Sequence, residues 1–171
     1  SSDGSVVAIG AHLNDGNGYK SGHVRVYSFD GSSWTKIGTD IDGEIRDDQS
    51  GYSVSLSSDG SVVAIGVPYN DKHGNNIGKV QVYSYIEGSW IQLGDDIYGK
   101  ASGDESGRSV SLSSDGSVVA IGAPADVTRG EPVGSGYVGV YSYDGSSWTQ
   151  LGSDIDGEAE SDESGHSVSL S

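Results

Sequence analysis

The chain has 171 residues, with Lys+Arg 9 against Asp+Glu 25 and a formal net charge of -16. A surface of that sign cannot neutralise phosphates, which excludes a nucleic-acid binder working by general electrostatics and disfavours docking on anionic lipid heads. Cys 0 excludes a disulfide framework, a thiolate zinc site and a cysteine nucleophile, and no apolar run approaches the ~20 residues of a membrane span.

The chain opens at Ser1-Ser2-Asp3-Gly4, inside a hairpin, and the nine-residue string Ser-Asp-Gly-Ser-Val-Val-Ala-Ile-Gly starts at Ser2, Ser58 and Ser114, 56 residues apart each time. Tyr27 and Tyr83 keep that spacing, whereas Tyr83 and Tyr141 lie 58 apart, so the third unit carries two extra residues before Tyr141. The units run approximately 1–50, 51–106 and 107–164, with 165–171 reading as the first strand of a further unit.

The second unit shows the elements in order. Tyr52–Leu56 alternates polar and apolar, the mark of a half-buried strand. Asp59-Gly60 is a hairpin signal, because glycine accepts positive φ at low cost. Val62–Ile65 is a continuous β-branched run, consistent with burial on both faces, and Pro68 stops it. A polar loop through Asn70–Asn76 leads to the alternating Val80–Tyr85. Glu87-Gly88 turns the chain into a fourth strand, Trp90–Leu93, and an acidic stretch from Asp95 to Ser106 leads to the next unit. No window carries a capped helical period, so no helix is assigned.

A four-stranded antiparallel sheet of about 56 residues cannot bury both faces alone. Radial stacking of such sheets gives a β-propeller, of typically 4–8 blades. The alternative, a β-solenoid or open array, uses shorter coils of ~20–30 residues. The fold class is therefore all-β: three tandem four-stranded antiparallel blades of a propeller, partial or completed by association. The strand phase agrees, because Ser167–Ser171 supplies the strand type that the first unit lacks.

The unit resembles the FG-GAP repeat of integrin α-chain propellers, and more closely the tandem FG-GAP-type repeats of bacterial and algal surface proteins. The resemblance is carried by Gly51–Leu56, Val63–Pro68, Gly78–Tyr83 and Ser89–Gln92, and by Gly122-Ala123-Pro124 in the third unit. It spans essentially the whole chain, although Ser50, Ser106 and Ser164 stand where the family has an aromatic residue. It implies a propeller fold and an extracellular or cell-surface role in adhesion or recognition. The calcium loop that integrin blades often carry between the first two strands is not transferable. Only Ser57-Ser58-Asp59-Gly60 stands there, and calcium takes six to eight oxygens.

Other candidate chemistry is sparse. Asp40, Asp42, Asp154 and Asp156 sit in acidic turns that form half of a calcium-loop pattern, but Asp96-Ile97-Tyr98-Gly99-Lys100 breaks it in the second unit. Solvated acidic turns are the favoured reading, so no cofactor is expected; calcium is possible but unsupported by a complete loop. His12, His23, His73 and His166 occupy unrelated repeat positions and read as surface residues. No Gly-x-Ser-x-Gly elbow or recurring Ser, His and Asp set points to an enzyme. Trp34, Trp90 and Trp148, with Tyr27, Tyr83 and Tyr141, recur at fixed phase and read as blade-packing residues, with exposed sugar platforms as the alternative for the tryptophans. A partner face is expected in the loops between second and third strands, at Asn14, Asp15 and Tyr19, at Asn70, Asp71 and His73, and at Asp126, Arg129 and Glu131.

The function expected is a non-enzymatic extracellular module recognising protein or glycan. The alternatives are a building block of an extracellular filament or array, and a propeller hydrolase or lyase. Self-association, or continuation in a longer chain, is the expected partner relation, without nucleic acid and without membrane insertion.

Overall fold

The computed structural model describes residues 1–124 and 134–171. All regular structure among the described residues is β, in three open sheets. The first contains β1 (Val6–Gly10), β2 (His23–Phe29), β3 (Trp34–Lys36) and β4 (Ile41–Asp42). The second contains β5 (Ser53–Leu56), β6 (Val62–Val67), β7 (Lys79–Ile86), β8 (Ser89–Gln92) and β9 (Ile97–Tyr98). The third contains β10 (Ser109–Leu112), β11 (Val118–Ala123), β12 (Tyr137–Tyr143), β13 (Trp148–Gln150) and β14 (Ile155–Asp156).

Each sheet is an antiparallel meander with one departure from the expected four strands. The outermost strand comes in two pieces, both paired with the third: β8 and β9 each lie along β7. The acidic turns expected at Asp40–Glu44 and Asp154–Glu158 are thus corrected. Ile41–Asp42 and Ile155–Asp156 are extended and pair with β2 and β12. In the first two units the isoleucine of this segment is buried, Ile41 with Val24 and Val26 and Ile97 with Val80 and Val82, which holds the polar neighbours along the sheet; Ile155 pairs with β12 although it is 61% exposed.

The hairpins follow their sequence. Asp59 accepts from the Ser61 amide and the Ser57 hydroxyl, while Gly60 turns at φ 75. Those donors hold the Asp59 carboxyl below its ordinary range. Asp3 and Asp115 make the same bonds in their own turns and are held at about 2.

The core lies between sheets. Val63, Ile65 and Val67 of β6 pack with Val24, Val26 and Ile41 of the first sheet. The alternate residues Val62 and Ala64 pack with Val110, Leu112, Val119 and Ile121 of the third. A strand buried on both faces needs a continuous apolar run, which is what β6 carries. The same backbone contacts join both pairs of sheets: the amides of Ser2 and Ser58 donate to the Ser58 and Ser114 carbonyls, each at 2.8 Å. The Ser53 and Ser109 hydroxyls donate to the Gly107 and Gly165 carbonyls, again at 2.8 Å. Gly66 and Gly122 permit this approach, since a Cβ on either would stand 1.9 Å from those carbonyl oxygens. Ser167–Ser171 forms no ladder, but the Leu170 amide donates to Ser111 Oγ at 2.9 Å, as Leu112 does to Ser55 Oγ at 3.0 Å.

The tryptophans divide by position. Trp90 and Trp148 pack against the preceding sheet and donate Nε1–H to the Ile37 and Leu93 carbonyls, at 3.2 and 2.7 Å. Trp34 is exposed and rests on Phe29, because no preceding sheet stands beside it. Tyr27, Tyr83 and Tyr141 are half-buried.

Candidate functional site

The loops between second and third strands and the acidic connections after the outermost strand emerge at one end of the sheets and are stitched together. The Asp47 and Gln49 amides donate to the Tyr19 and Lys20 carbonyls at 2.8 and 3.0 Å. The Gly103 and Glu105 amides donate to the Asn75 and Asn76 carbonyls at the same two distances. An aspartate closes each loop from within: Asp15 Oδ1 accepts from the Lys20 amide and Asp71 Oδ1 from the Asn76 amide, both at 2.7 Å. Lys20 and Asn76 accordingly share a left-handed backbone, with φ 51 and 48. The two loops are one backbone shape carrying different side chains. Asp126, Arg129 and Glu131 lie outside the described residues, but the stem of that loop keeps the pattern, with the Ser161 amide donating to the Gly134 carbonyl at 3.1 Å.

Two clefts open at this end, the first between neighbouring units and the second within the second unit. One, of about 430 Å³, is lined by Ile45, Arg46, Asp47, Asp48, Asp71 and Lys72. Tyr19 lies nearby under two cations, with Lys20 Nζ 5.0 Å and the Arg46 guanidinium 5.8 Å from its ring centre. Asp48 is buried and its Oδ2 accepts from Asn70 Nδ2 at 3.0 Å, which ties the first unit to the second. Burial pushes its carboxyl up to about 6; Glu44 and Asp71 add to that, while Asn70 and Lys79 oppose it.

The second cleft, of about 490 Å³, is lined by Lys72, Gln92, Gly94, Asp95, Asp96 and Tyr98. Asp96 is its anchor. It accepts from Lys79 Nζ at 2.8 Å, Gln81 Nε2 at 2.9 Å, Gln92 Nε2 at 2.8 Å and Tyr98 OH at 3.0 Å. Burial, the largest single influence, raises the Asp96 carboxyl, but these donors together hold it below its ordinary range. Lys79 is only 1% exposed and also reaches Glu44 of the first unit at 2.9 Å. His73 meets the Tyr98 ring edge-on at 4.4 Å, and Lys72 stands 5.6 Å from the same ring.

A third cluster crosses all three units where the first strands begin. Arg108 Nη1 donates to Tyr69 OH at 2.7 Å and Glu105 Oε2 at 2.8 Å, and its guanidinium lies 4.8 Å from the Tyr52 ring centre. Tyr52 also meets Tyr69 edge-on at 5.8 Å and His12 at 5.2 Å. Sequence reasoning missed this cluster. The available signal was that Tyr52 and Arg108 both follow the glycine that opens a first strand.

Of the expected metal candidates, Asp40 and Asp42 come together beside His23, whereas Asp154 and Asp156 join no such group among the described residues. Asp40 bonds Arg25 Nε at 2.9 Å and Lys36 Nζ at 2.7 Å, and the Arg25 and Lys36 contacts outweigh burial to bring it to about 2. Asp154 pairs with Lys100 and accepts from Gln150 Nε2 at 2.6 Å. Asp42 and Asp156 are exposed. The reading of all four histidines as surface residues is corrected for His23, which is only 6% exposed. The strand ladder that pairs it with Asp42 places it under the loop end of the sheet.

No family model matches the chain, and no curated protein matches it. A solved structure does: that of "a putative 6-phosphogluconolactonase from Bacteroides uniformis", with a TM-score of 0.52 and 13% identity over 78% of this chain. The likeness concerns the fold, and the chain spans 35% of that protein's length. Among the described residues no helix is long and apolar enough to cross a membrane.

Proposed function

We propose that the three sheets are blades of a β-propeller and that the chain is a non-catalytic recognition module of the cell exterior. Its stitched loop end binds a polar protein or glycan surface. One observation carries this reading. The loops Asn14–Ser21 and Asn70–Ile77 have the same length, the same internal aspartate bond and the same positive-φ position, yet differ in most of their side chains. A constant scaffold presenting variable tyrosine, lysine, histidine and asparagine is the arrangement by which loops confer specificity. The lactonase description of the structural neighbour belongs to that protein. The test is a loop exchange: residues 14–21 replaced by the sequence of 70–77, then both proteins applied to a glycan array and a panel of extracellular matrix proteins. Binding that shifts with the exchange, at unchanged thermal stability, is expected; binding indifferent to it refutes the reading.

The end faces support a second role, as a self-assembling block. Ile9 is 50% exposed, whereas Ile65, at the same position of the second unit, is 0% exposed inside the contact between sheets. At the other end Ile155 is 61% exposed against 7% for Ile97. These two faces are the halves of a contact that the chain already makes twice, so a second copy fits head to tail. Light scattering after size exclusion should show species larger than one chain. Ile9→Glu or Ile155→Lys should each return them to single chains; a monomer at high concentration refutes this role.

A further inference from the structure

Asp40, Asp96 and Asp154 occupy one repeat position, just before the second piece of the outermost strand. In the second unit this carboxylate holds a cation of its own chain, since Lys79 Nζ lies between Asp96 and Glu44. In the first unit His23 stands in the place of Lys79, and Asp42 in the place of Tyr98. An ammonium is exchanged for an imidazole and a phenol for a carboxylate. The buried cation is gone from this place; the cations that pair with Asp40 instead, Arg25 and Lys36, stand where the second unit has Gln81 and Gln92, and both are exposed.

The geometry there is specific. His23 is buried, and no described residue hydrogen-bonds its ring. A largely buried imidazole whose nitrogens bond no described protein group is free to act as a ligand. One ring nitrogen of His23 and one oxygen each of Asp40 and Asp42 lie within 4.8 Å of one another. No hydrogen bond joins the His23 ring to either carboxylate, and atoms gathered within that span can close on a single ion at ligand distances of about 2.0–2.2 Å. The β2–β4 register sets His23 opposite Asp42, and Asp40 lies two residues before Asp42 on an extended chain, so all three point to one side.

We propose that His23, Asp40 and Asp42 form a binding site for one divalent transition-metal ion, zinc being the best match. Imidazole with two carboxylates suits zinc, whereas calcium prefers an all-oxygen shell of more ligands. Three protein ligands leave a fourth position for water or for a donor group of a bound partner. Arg25 and Lys36 are the competitors. Both pair with Asp40, at 2.8 and 2.7 Å, and both side chains are substantially exposed, so either can swing into solvent as the ion enters. They lower the affinity without occluding the site.

The experiment is calorimetric titration of the whole chain with zinc chloride at neutral pH, repeated with cobalt(II), whose visible absorption reports its coordination. One equivalent per chain is expected. Asp42→Asn, at an exposed position, should weaken binding about tenfold or more, and His23→Ala likewise. Lys36→Ala should tighten it severalfold by removing a competitor. His23→Lys rebuilds the ammonium of the second unit and should abolish binding while circular dichroism and the thermal transition stay unchanged. Absence of stoichiometric binding overturns the proposal. So does binding that Asp42→Asn and His23→Lys leave intact, which would put the ion on other side chains.

Discussion

Removing Asp96 tests the reasoning about the buried network most directly. Its carboxylate is the shared acceptor for Lys79, Gln81, Gln92 and Tyr98. Asp96→Ala leaves a buried ammonium with only Glu44, whose side chain is 53% exposed, takes the Asp96 acceptor from Gln92 and Tyr98, and leaves Gln81 a longer bond to Glu44 at 3.4 Å. Breaking a buried pair by deleting one member costs about 3–5 kcal/mol, because the remaining charge stays desolvated. Glu44→Ala removes the solvated partner instead and should cost about 0–1 kcal/mol. Lys79→Met removes the charge while keeping the stem, and three donors still serve Asp96, so an intermediate loss of about 1–3 kcal/mol is expected. Urea unfolding of the four proteins gives the order. Its pH dependence gives a second check. The Asp96 carboxyl is held low in the folded chain, so its stabilisation is present above the ordinary carboxylate range and is lost as pH falls through its folded value. The gap between wild type and Asp96→Asn should therefore close in acid. Equal losses for Asp96→Ala and Glu44→Ala would refute the assignment of Asp96 as the anchor.

Three further outcomes follow from the same geometry. Asp48 holds its proton up to about 6 in the folded chain, roughly two units above an unfolded aspartate, so wild-type stability should fall as pH rises from about 4 to 6. Asp48→Asn should remove that slope and raise stability at pH 7 by about 1–3 kcal/mol, read from urea midpoints at the two pH values. Gly122→Ala would set a Cβ 1.9 Å from the Gly165 carbonyl oxygen and should cost about 3 kcal/mol in the same assay; a loss under about 1 kcal/mol would mean that the sheets part without penalty. Trp148→Ala should lower stability by about 2–3 kcal/mol through lost packing and its bond to the Leu93 carbonyl, while Trp34→Ala should change it by about 0.5 kcal/mol or less in the isolated chain.

Much of the fold is legible in the sequence, and the reason is periodicity. The alternation of Ser53–Leu56, the unbroken apolar run of Val62–Ile65 and the Asp-Gly turns are local signals. Each reports whether a residue faces core or solvent within its own strand. The repeat adds that every unit meets its neighbour in the same way. What escaped the sequence is what depends on partners in another unit. Ile97–Tyr98 is too short to show a period, and it becomes a strand because β7 offers it a free edge. Lys79 would pass for a surface lysine but for Asp96 and for Glu44, 35 residues earlier. His23 is buried by the sheet around it, and Tyr52, Tyr69 and Arg108 meet only because first strands of successive units lie side by side. A charge shows its type in the sequence; its partner and its desolvation are set by the chain that folds around it, and at this loop end tertiary structure alone decided them.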